Sequence, residues 1–527
     1  PTGPRVGPMS LVNAPAHTVT APTASSSLLH TNGAPKTPAC FFNQTPRTDP
    51  VPDSWPQANA SAWDSTNPLL DKCRKIYDVV RSTRLPNFQQ AQIPLPSGLN
   101  IQAWKNLIQE TDYQDNMIAS YLEFGFPVNY TGPFPSQESN IENHPSAQNY
   151  PDSIRDFINT ELSAQAILGP FDSPSFLPYS KNTPLMTRPK SDSAERRVIM
   201  DFSWGADSVN AHIDNSNYLG TIYKLSLPTV DNIAEMIVDA GPGSYIYKRD
   251  LSRAYKQLRT DPLAWPLTTF TFDNLAYVEI SVPFGIKPGA MMCQRTTDVI
   301  SHAMRYQDYR LCNYLDDLIG IEKTLNKALA GDKYLGQTLD SLGLQHKEPK
   351  HCLPAQAQIC LGIEFDTVQM TKSIPPAKLL QIKQELTKWS LKTRASQHEL
   401  QSLAGKLLFV AKCSAPARLF VNSILADLRA APPIGSVKLS TSTREDINWF
   451  LQLMPQYNGL SLLHHPPVGP TCPVDVDACL TGIGGRSGNS FYAEELPVFI
   501  TSLNLSITHL EMLNILIATR LFAPQWA

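Results

Sequence analysis

Short apolar runs alternate with longer amphipathic stretches between residues 185 and 370. Four of these runs are rich in β-branched and aromatic residues, which is typical of strands. They are RRVIMDF (196–202), YIYKRDL (245–251), LTTFTF (267–272) and ICLGIEFD (359–366). The stretches between them place apolar residues at helical spacing. A chain that mixes strands and helices in this way is predicted to form an α+β domain.

The chain before this domain divides into two parts. Residues 1–62 hold eleven of the 45 prolines, many Ser, Thr and Ala residues and few charges, so they are predicted to form a disordered arm. From residue 63 to about residue 150 the pattern is helical, as in NPLLDKCRKIYDVV (67–80). Asp152 is predicted to cap one more helix, because apolar residues follow it at helical spacing.

Basic residues are concentrated between residues 372 and 420. Nine Lys or Arg residues stand there against only Glu385 and Glu399, a local charge of +7. The apolar residues recur at helical spacing, so the segment is predicted to form two basic amphipathic helices. Such a run is usually a solvated charged face, and the alternative is a surface that follows a nucleic-acid backbone.

Residues 471–527 carry a third pattern. A strand is predicted at VDVDA (474–478), a glycine-rich turn at TGIGG (481–485) and an apolar helix at THLEMLNILIATRLF (508–522).

Composition narrows the class of protein. A chain of 527 residues is predicted to form three or more folded units. The net charge of −3 means that a polyanionic partner has to be bound by local basic surface.

The nine cysteines form no CxxC pair, which argues against structural zinc and favours a reduced intracellular compartment, the cytoplasm or the nucleus. No apolar run is long enough to span a bilayer, and the first residue, Pro1, indicates a fragment of a longer protein.

Two adjacent carboxylates interrupt an apolar segment in LCNYLDDLIG (311–320). This pattern predicts a β-hairpin with Asp316 and Asp317 at its tip, and taken alone it is better explained by turn propensity than by chemistry. Asp250 changes that balance, because it ends an apolar strand just before a short helical pattern. Separated carboxylates of this kind can hold the two cations of a phosphoryl-transfer site, although a salt bridge from Asp250 to Arg253 is the competing interpretation.

The motifs together resemble a known family. The chain resembles the reverse transcriptases of retroelements in three features that occur in the expected order and spacing. They are Asp250, VPFGIKPGAMMCQRTTDVI (282–300) and YLDD (314–317). RRVIMDFSWGADSVNAHI (196–213) resembles the fingers segment of the same family. CQRTTDVI and MDFSW within these segments are most similar to DIRS-like retrotransposons, which encode a tyrosine recombinase. The resemblance covers about residues 115–527.

This resemblance implies a right-hand polymerase followed by the start of a ribonuclease H-like α/β domain. The implied activity is RNA-directed DNA polymerisation. The expected organisation is a disordered arm (1–62), a helical extension (63–150), fingers and palm (151–370), a thumb of basic helices (371–430), a connection (431–470) and a partial ribonuclease H-like domain (471–527).

The resemblance also assigns roles to single residues. Asp250 and Asp316 match the principal metal-binding aspartates, and Asp317 completes the group with a lesser role. Tyr255 matches the aromatic residue that lies under the incoming sugar and excludes a 2′-hydroxyl. The other implied assignments are Lys190 and Arg197 on the triphosphate, Phe284 and Gly285 in the nucleotide pocket, Lys350 (with Lys347 as its rival) as general acid, and Leu361 and Gly362 as the primer grip.

Cofactors and partners follow from the same resemblance. Two Mg²⁺ ions are implied, with Mn²⁺ as an alternative, and the implied partners are an RNA template, a DNA primer, their hybrid and deoxynucleoside triphosphates. No membrane partner is expected, and the first 150 residues are candidates for contacts with assembly partners. In the last block Asp477, with Asp475 as its rival, and Glu511 match the first two ribonuclease H carboxylates. The later aspartates of that family lie beyond Ala527, so hybrid cleavage by this fragment is not expected.

Two alternatives stay open at this point. An RNA-dependent RNA polymerase shares the palm carboxylates, and Tyr255 and the last block favour the reverse transcriptase over it. A catalytically silent, domesticated RNA-binding relative is the other alternative, and the presence of all three aspartates argues against it. The chain departs from the family at Pro288, Gly289 and Ala290 and at Cys293, and these departures affect the lining of the pocket, not metal binding.

Overall fold

The structure is a computed structural model that mixes helices and strands. It describes residues 68–134, 141–172, 177, 180–189, 195–214, 216–347, 350–457, 459–463 and 473–526. The predicted disordered arm (1–62) lies outside these residues, and so does Lys190. Within the described ranges, no helix combines the length and the apolar character that crossing a bilayer requires.

The N-terminal part is helical. Its helices are α1 (Pro68–Thr83), α2 (Ile101–Glu110), α3 (Met117–Phe124), α4 (Pro145–Gln148) and α5 (Pro151–Ser163). The prediction that Asp152 caps α5 is wrong, because the helix begins at Pro151 and Tyr150 is its N-cap residue. Proline suits the first turn, where its missing N–H is not needed, and Asp152 lies in that turn near the positive end of the helix.

These helices pack into the same core as the rest of the domain. The indole of Trp104 donates to the Leu342 carbonyl over 3.1 Å. Arg295 of the later chain donates to the Asp115 carboxylate over 2.7 Å, and both side chains are buried. A buried charge is tolerated only when it is paired, so this contact fixes the N-terminal helices against the following domain.

Small antiparallel units come next. The elements in this part of the chain are β1 (Ile167–Asp172), β2 (Leu185–Pro189), β3 (Arg196–Met200), β4 (Asn217–Tyr218), β5 (Thr221–Ile222) and α6 (Val230–Ala240), with a 3₁₀ helix at Val209–His212. Strands β2 and β3 form one hairpin, and β4 and β5 form another.

The middle of the molecule contains the main sheet. The elements here are β6 (Tyr245–Asp250), α7 (Ala254–Gln257), a 3₁₀ helix (Pro262–Leu267), β7 (Thr269–Phe272), β8 (Leu275–Glu279), α8 (Gly289–Tyr306), β9 (Leu311–Tyr314), β10 (Asp317–Glu322), α9 (Leu325–Ser341) and β11 (Cys352–Ala355). Four of the strands form an antiparallel sheet in the order β11–β6–β10–β9, which we call the central sheet. The order β1–β8–β7 forms a separate sheet beside it.

Close packing sets the sequence of the central sheet. A Cβ atom on Gly320 would lie 1.9 Å from the Tyr247 ring, which lies directly opposite it on the neighbouring strand. Arg249 is buried on the same face of β6 as Tyr247 and donates to Asp332 of α9 over 2.8 Å, whereas Ile246 is buried on the opposite face. Strand β6 therefore carries buried side chains on both faces, which explains why its sequence does not simply alternate apolar and polar residues.

The following segment is mostly helical. Its elements are β12 (Ala357–Cys360), β13 (Ile363–Asp366), β14 (Thr371–Ser373), α10 (Pro376–Ser390), β15 (Arg394–Ala395), α11 (Gln397–Val410), a 3₁₀ helix (Ala415–Val421), α12 (Asn422–Ala430), β16 (Val437–Lys438), α13 (Thr441–Gln456) and β17 (Leu460–Leu462). The two basic helices predicted from the sequence are α10 and α11. Ser396 and Glu399 form a reciprocal capping box at the start of α11.

A small unit ends the described chain. It comprises β18 (Val474–Ala478), β19 (Gly482–Ser487), β20 (Ser490–Glu495), α14 (Val498–Thr501) and α15 (Ile507–Trp526). The three strands form an antiparallel sheet against which α15 packs. We call this unit the C-terminal block.

Candidate active site

Three carboxylates meet at one end of the central sheet. Strand β6 ends at Asp250, and Asp317, the first residue of β10, lies directly opposite it in the register. The Asp316 carbonyl accepts a hydrogen bond of 3.0 Å from the Leu251 amide. The structure therefore brings Asp250 together with Asp316 and Asp317, which are distant from it in the sequence, and we call these three residues the carboxylate cluster.

The turn between β9 and β10 differs slightly from the sequence prediction. Tyr314 pairs with Asp317, so the two turn residues are Leu315 and Asp316, not the two aspartates. Leu315 has φ of 54°, a left-handed conformation that favours glycine. Residues held in such conformations persist where the surrounding contacts fix them, and they are concentrated at functional sites.

Gln294 of α8 supplies the contacts that fix this turn. Its side chain accepts a hydrogen bond from the Leu315 amide over 2.9 Å, and it donates to the Asn313 carbonyl over 3.0 Å. It also donates to the Asp298 carboxylate over 2.8 Å. Sequence reasoning did not single out Gln294, although a run of polar residues inside a helix, QRTT (294–297), was a signal for buried hydrogen bonding.

Burial disfavours the negative charge of the carboxylate cluster. Burial raises the pKa of the Asp316 carboxyl above its ordinary value, and the neighbouring Asp250 raises it further. Burial likewise raises the pKa of Asp317, against the lowering influence of Lys248. Both shifts indicate a site that is stabilised by added positive charge.

Lysines provide part of that positive charge. Lys347 Nζ lies 2.6 Å from one oxygen of Asp250, and Lys350 Nζ lies 3.2 Å from the other. Lys248 Nζ lies 3.8 Å from Asp317. The resemblance favoured Lys350 with Lys347 as its rival, and the structure places both at Asp250.

The donor set fits a hard divalent cation. Mg²⁺ is usually bound by one or two protein carboxylates, waters and substrate phosphates, all of which are oxygen ligands. Within the described ranges, no three His, Cys, Asp or Glu side chains are already arranged as a metal cage. Both oxygens of Asp250 instead face lysine ammonium groups, so cation binding requires these lysines to move aside.

An aromatic pair borders the cluster. The rings of Tyr255, in α7, and Phe284 have centroids 5.0 Å apart, and 44% of Phe284 is exposed. Gly285 has φ of 99°, and a Cβ atom there would lie 2.8 Å from the Met200 carbonyl of β3. These residues form a wall between the carboxylate cluster and the β2–β3 hairpin.

The predicted triphosphate cations lie on that hairpin. Arg197 is exposed on β3 and pairs in register with Arg188 of β2. Lys190 lies outside the described residues. The structure places Arg197 on the hairpin that contacts Gly285 through Met200, and it shows no direct contact of Arg197 with the carboxylate cluster among the described residues.

The predicted primer-grip residues form the turn between β12 and β13. Leu361 and Gly362 have φ of 50° and 80°, so both are left-handed, as a tight two-residue hairpin turn requires. A Cβ atom on Gly362 would lie 3.4 Å from the Phe409 ring of α11. The turn is thus positioned against the basic helices.

A basic cavity lies between α10 and α11. It has a volume of about 650 Å³, and the lysines that line it are Lys378, Lys388, Lys392 and Lys406. Lys406 pairs with Glu385 and Lys392 pairs with Glu399. The two acids of the segment therefore neutralise part of its positive charge.

The C-terminal block places its predicted carboxylates near one another. Asp475 and Asp477 are exposed on β18, and Glu511 of α15 accepts a hydrogen bond of 3.3 Å from the Ala478 amide. Asn514, which sequence reasoning missed, is buried and donates to the Asp477 carbonyl over 2.7 Å. Asn514 therefore ties α15 to the strand that bears Asp477.

Comparison with known proteins assigns the middle of the chain. Residues 189–365 match the reverse transcriptase (RNA-dependent DNA polymerase) family. The chain contains a reverse transcriptase domain. The reverse transcriptase domain includes the central sheet, the carboxylate cluster and the aromatic pair, whereas the basic helices and the C-terminal block follow the matched range. No curated protein matches the chain.

Solved structures of foamy viral enzymes are similar to the chain. The foamy viral protease-reverse transcriptase dRH in complex with double-stranded DNA is 14% identical, with a TM-score of 0.49 over 86% of this chain and 72% of that chain. The foamy viral protease-reverse transcriptase with double-stranded DNA is 15% identical, with a TM-score of 0.49 over 88% of each chain. Its complex with an RNA/DNA hybrid is 14% identical, with a TM-score of 0.48 over 89% of this chain and 57% of that chain.

Proposed function

We propose that the chain is an RNA-directed DNA polymerase. In the proposed reaction, a primer 3′-hydroxyl attacks the α-phosphate of a deoxynucleoside triphosphate, the new phosphodiester bond forms, and pyrophosphate leaves. The observation that carries the proposal is the register of the central sheet, which sets Asp317 opposite Asp250 within the matched reverse transcriptase domain. Opposed carboxylates at a strand end beside an open aromatic wall suit metal-assisted phosphoryl transfer.

Asp250 and Asp316 are the proposed principal ligands for two Mg²⁺ ions, or Mn²⁺ in their place, and Asp317 has a lesser part. When bound, the ions supply activation of the hydroxyl and stabilisation of the charge that develops on the phosphate oxygens. The protein holds the carboxylates in position through the Gln294 contacts to the turn. Lys347 and Lys350 release Asp250 as the cations bind.

Lys350 is the proposed general acid. Its side chain is 59% exposed and its contact to Asp250 is the longer of the two, at 3.2 Å, so it can turn towards a leaving group. Lys347 is 34% exposed and contacts Asp250 at 2.6 Å, which favours a structural role. A proton held on the Lys350 Nζ atom is transferred to the pyrophosphate oxygen as the bond to the α-phosphate breaks.

Tyr255, Phe284 and Gly285 are the proposed lining of the nucleotide pocket. Tyr255 packs against Phe284, which supports the proposal that its ring fills the space that a 2′-hydroxyl would need. Arg197 and Lys190 are the proposed ligands of the triphosphate, because guanidinium and ammonium groups suit phosphate oxygens.

The remaining segments are proposed to hold nucleic acid. Leu361 and Gly362 would contact the primer backbone, and the lysines between α10 and α11 would contact phosphates of an RNA template and a DNA primer. Such contacts carry little sequence information and weaken as salt rises. In this proposal residues 151–370 form the fingers and palm, 371–430 the thumb and 431–470 the connection.

The C-terminal block is proposed to be the start of a ribonuclease H-like domain. The proposal rests on Asp477 and Glu511, whose strand and helix are joined by the contact of Glu511 to the Ala478 amide. A retrotransposon origin of the DIRS-like kind is proposed from the sequence motifs CQRTTDVI (293–300) and MDFSW (200–204).

Primer extension on an RNA template with Mg²⁺ tests the proposed reaction. Deoxynucleotides should be incorporated and ribonucleotides should not, since Tyr255 fills the space of the 2′-hydroxyl. Preferential incorporation of ribonucleotides would instead identify an RNA-dependent RNA polymerase. Binding of the template–primer without any incorporation, with either metal, would identify a silent RNA-binding relative.

A further inference from the structure

A small cationic cavity lies behind helix α7. It has a volume of about 90 Å³, which has room for several waters or one small tetrahedral oxyanion. The residues of its wall that matter here are Arg253, Lys256 and Arg259, with the exposed Ala164 on the rim. The nucleotide-side residue Tyr255 belongs to the same short helix, but it does not line this cavity.

Two of the three cations have carboxylate partners. Lys256 pairs with Glu279, and Arg253 pairs with Glu161. Arg259 forms no ion pair within the described part of the chain, and its Nε donates to the Pro96 carbonyl over 2.7 Å. The wall and its partners therefore carry three cations against two carboxylates.

Two of the residues that line the cavity have a donor atom without a hydrogen-bond partner among the described residues. Arg259 is only 6% exposed, and its Nη1 atom is buried without a hydrogen-bond partner among the described residues. The Nε atom of Arg253 is also buried and without a partner there. A buried guanidinium with an unsatisfied donor is costly, and an oxyanion in the cavity would offset the excess charge and draw these guanidinium groups towards it as hydrogen-bond donors.

We propose that this cavity, lined by Arg253, Lys256 and Arg259, is a binding site for a phosphate-sized oxyanion. The site lies next to α7, whose other side carries Tyr255 against Phe284. An oxyanion held there links α7 to the N-terminal loop through Arg259 and Pro96, and it stabilises the helix that bears Tyr255. This inference does not depend on the proposed polymerisation.

Thermal unfolding of the full chain in metal-free buffer tests the site. Inorganic phosphate is titrated against chloride at constant ionic strength, so that general screening is held fixed. Phosphate should raise the unfolding midpoint by a few degrees and reach saturation, because a ligand that binds only the native state stabilises it. Pyrophosphate should give a smaller increase, since the cavity accommodates one tetrahedral group.

Three variants locate the effect. Arg259→Met should abolish the phosphate-dependent increase, and Ala164→Trp should also abolish it, because the ring fills the cavity mouth while every charge is kept. Arg197→Met should leave the increase unchanged, since Arg197 lies on the β2–β3 hairpin. No saturable increase in the wild-type chain, or an increase that persists in Ala164→Trp, would mean a hydrated cavity only and overturn the proposal. Loss of the increase in Arg197→Met would assign the anion to the nucleotide site and overturn it as well.

Discussion

Replacement of Gln294 by Met should displace the turn at Leu315 and Asp316 while leaving all three carboxylates of the cluster in the chain. Methionine keeps the length of the side chain and removes its three hydrogen bonds, to the Leu315 amide, the Asn313 carbonyl and the Asp298 carboxylate. Gln294 is 3% exposed, so water does not readily replace these partners.

The expected cost can be worked from these contacts. Leaving a buried polar group without a partner costs about 1–3 kcal/mol. Asp298 keeps a 2.8 Å hydrogen bond from Asn313, so its loss is partial. The Leu315 amide and the Asn313 carbonyl both lose this partner, so the free energy of unfolding should fall by about 2–6 kcal/mol. A turn displaced by about 1 Å should lower kcat by about 10²-fold, because the reacting groups lose alignment.

Gln307→Met is the matched control. Gln307 is exposed at the end of the same helix, so its replacement should change neither stability nor kcat. Chemical denaturation measures the first quantity and single-turnover primer extension the second, both at a temperature where each variant is folded. If Gln294→Met loses stability while kcat stays within about threefold of wild type, the turn does not need this contact and the reasoning is refuted.

Three further predictions concern protons, sugars and the lysines. Because burial raises the pKa of Asp316 and Asp317 above 3.8, the native state binds more protons than the unfolded chain, and their contribution to stability falls as pH rises through the raised values. Saturating Mg²⁺, which binds the ionised carboxylates, should reverse this trend in denaturation midpoints, and a trend of the same sign with and without Mg²⁺ would contradict it. Tyr255→Ala should admit ribonucleotides while Tyr255→Phe keeps discrimination, as measured by the kcat/KM ratio for the two sugars; unaltered discrimination in the alanine variant would refute the role. Lys350→Met should lower kcat by about 10²–10⁴-fold and Lys347→Met by less than about tenfold, and the reverse ranking would transfer the general acid to Lys347.

The sequence predicted most of the strands that build the candidate site. The apolar runs at 196–202, 245–251 and 267–272 correspond to β3, β6 and β7, because short runs rich in β-branched and aromatic residues suit a buried pleated surface. The two basic helices were predicted from spacing alone. The resemblance supplied the link between Asp250 and the YLDD turn, which lie 66 positions apart and whose pairing no local pattern reveals.

Details that depend on tertiary contacts could not be predicted from the sequence. The turn falls at Leu315 and Asp316 because β9 and β10 pair at Tyr314 and Asp317, and an unfavourable left-handed leucine is accepted there once Gln294 holds its amide. Hydrogen bonds between residues distant in the chain leave no periodic signal. The cap of α5 was misplaced by two residues, at Asp152 instead of Tyr150, for a local reason, since proline in the first turn outweighs an aspartate cap.

The pairing of charged side chains could not be predicted from the sequence either. The charge of +7 for segment 372–420 already counts Glu385 and Glu399, and only the structure shows that these acids pair with Lys406 and Lys392 at the cavity between α10 and α11. The resemblance favoured Lys350 over Lys347 as general acid, and the structure shows that both lie within reach of Asp250. Their different exposure, which only the structure provides, is what separates their proposed roles.

Single-turnover primer extension by Asp316→Asn tests the central claim most directly. Asparagine keeps the shape of the turn residue and removes the charge that would hold the metal ion. The control is Asp308→Asn, a change of the same kind at a side chain that is 94% exposed and paired with Lys327. We expect Asp316→Asn to bind template–primer with unchanged affinity and to lose incorporation of deoxynucleotides, while Asp308→Asn extends at the wild-type rate. Extension by Asp316→Asn at the wild-type rate would contradict the account.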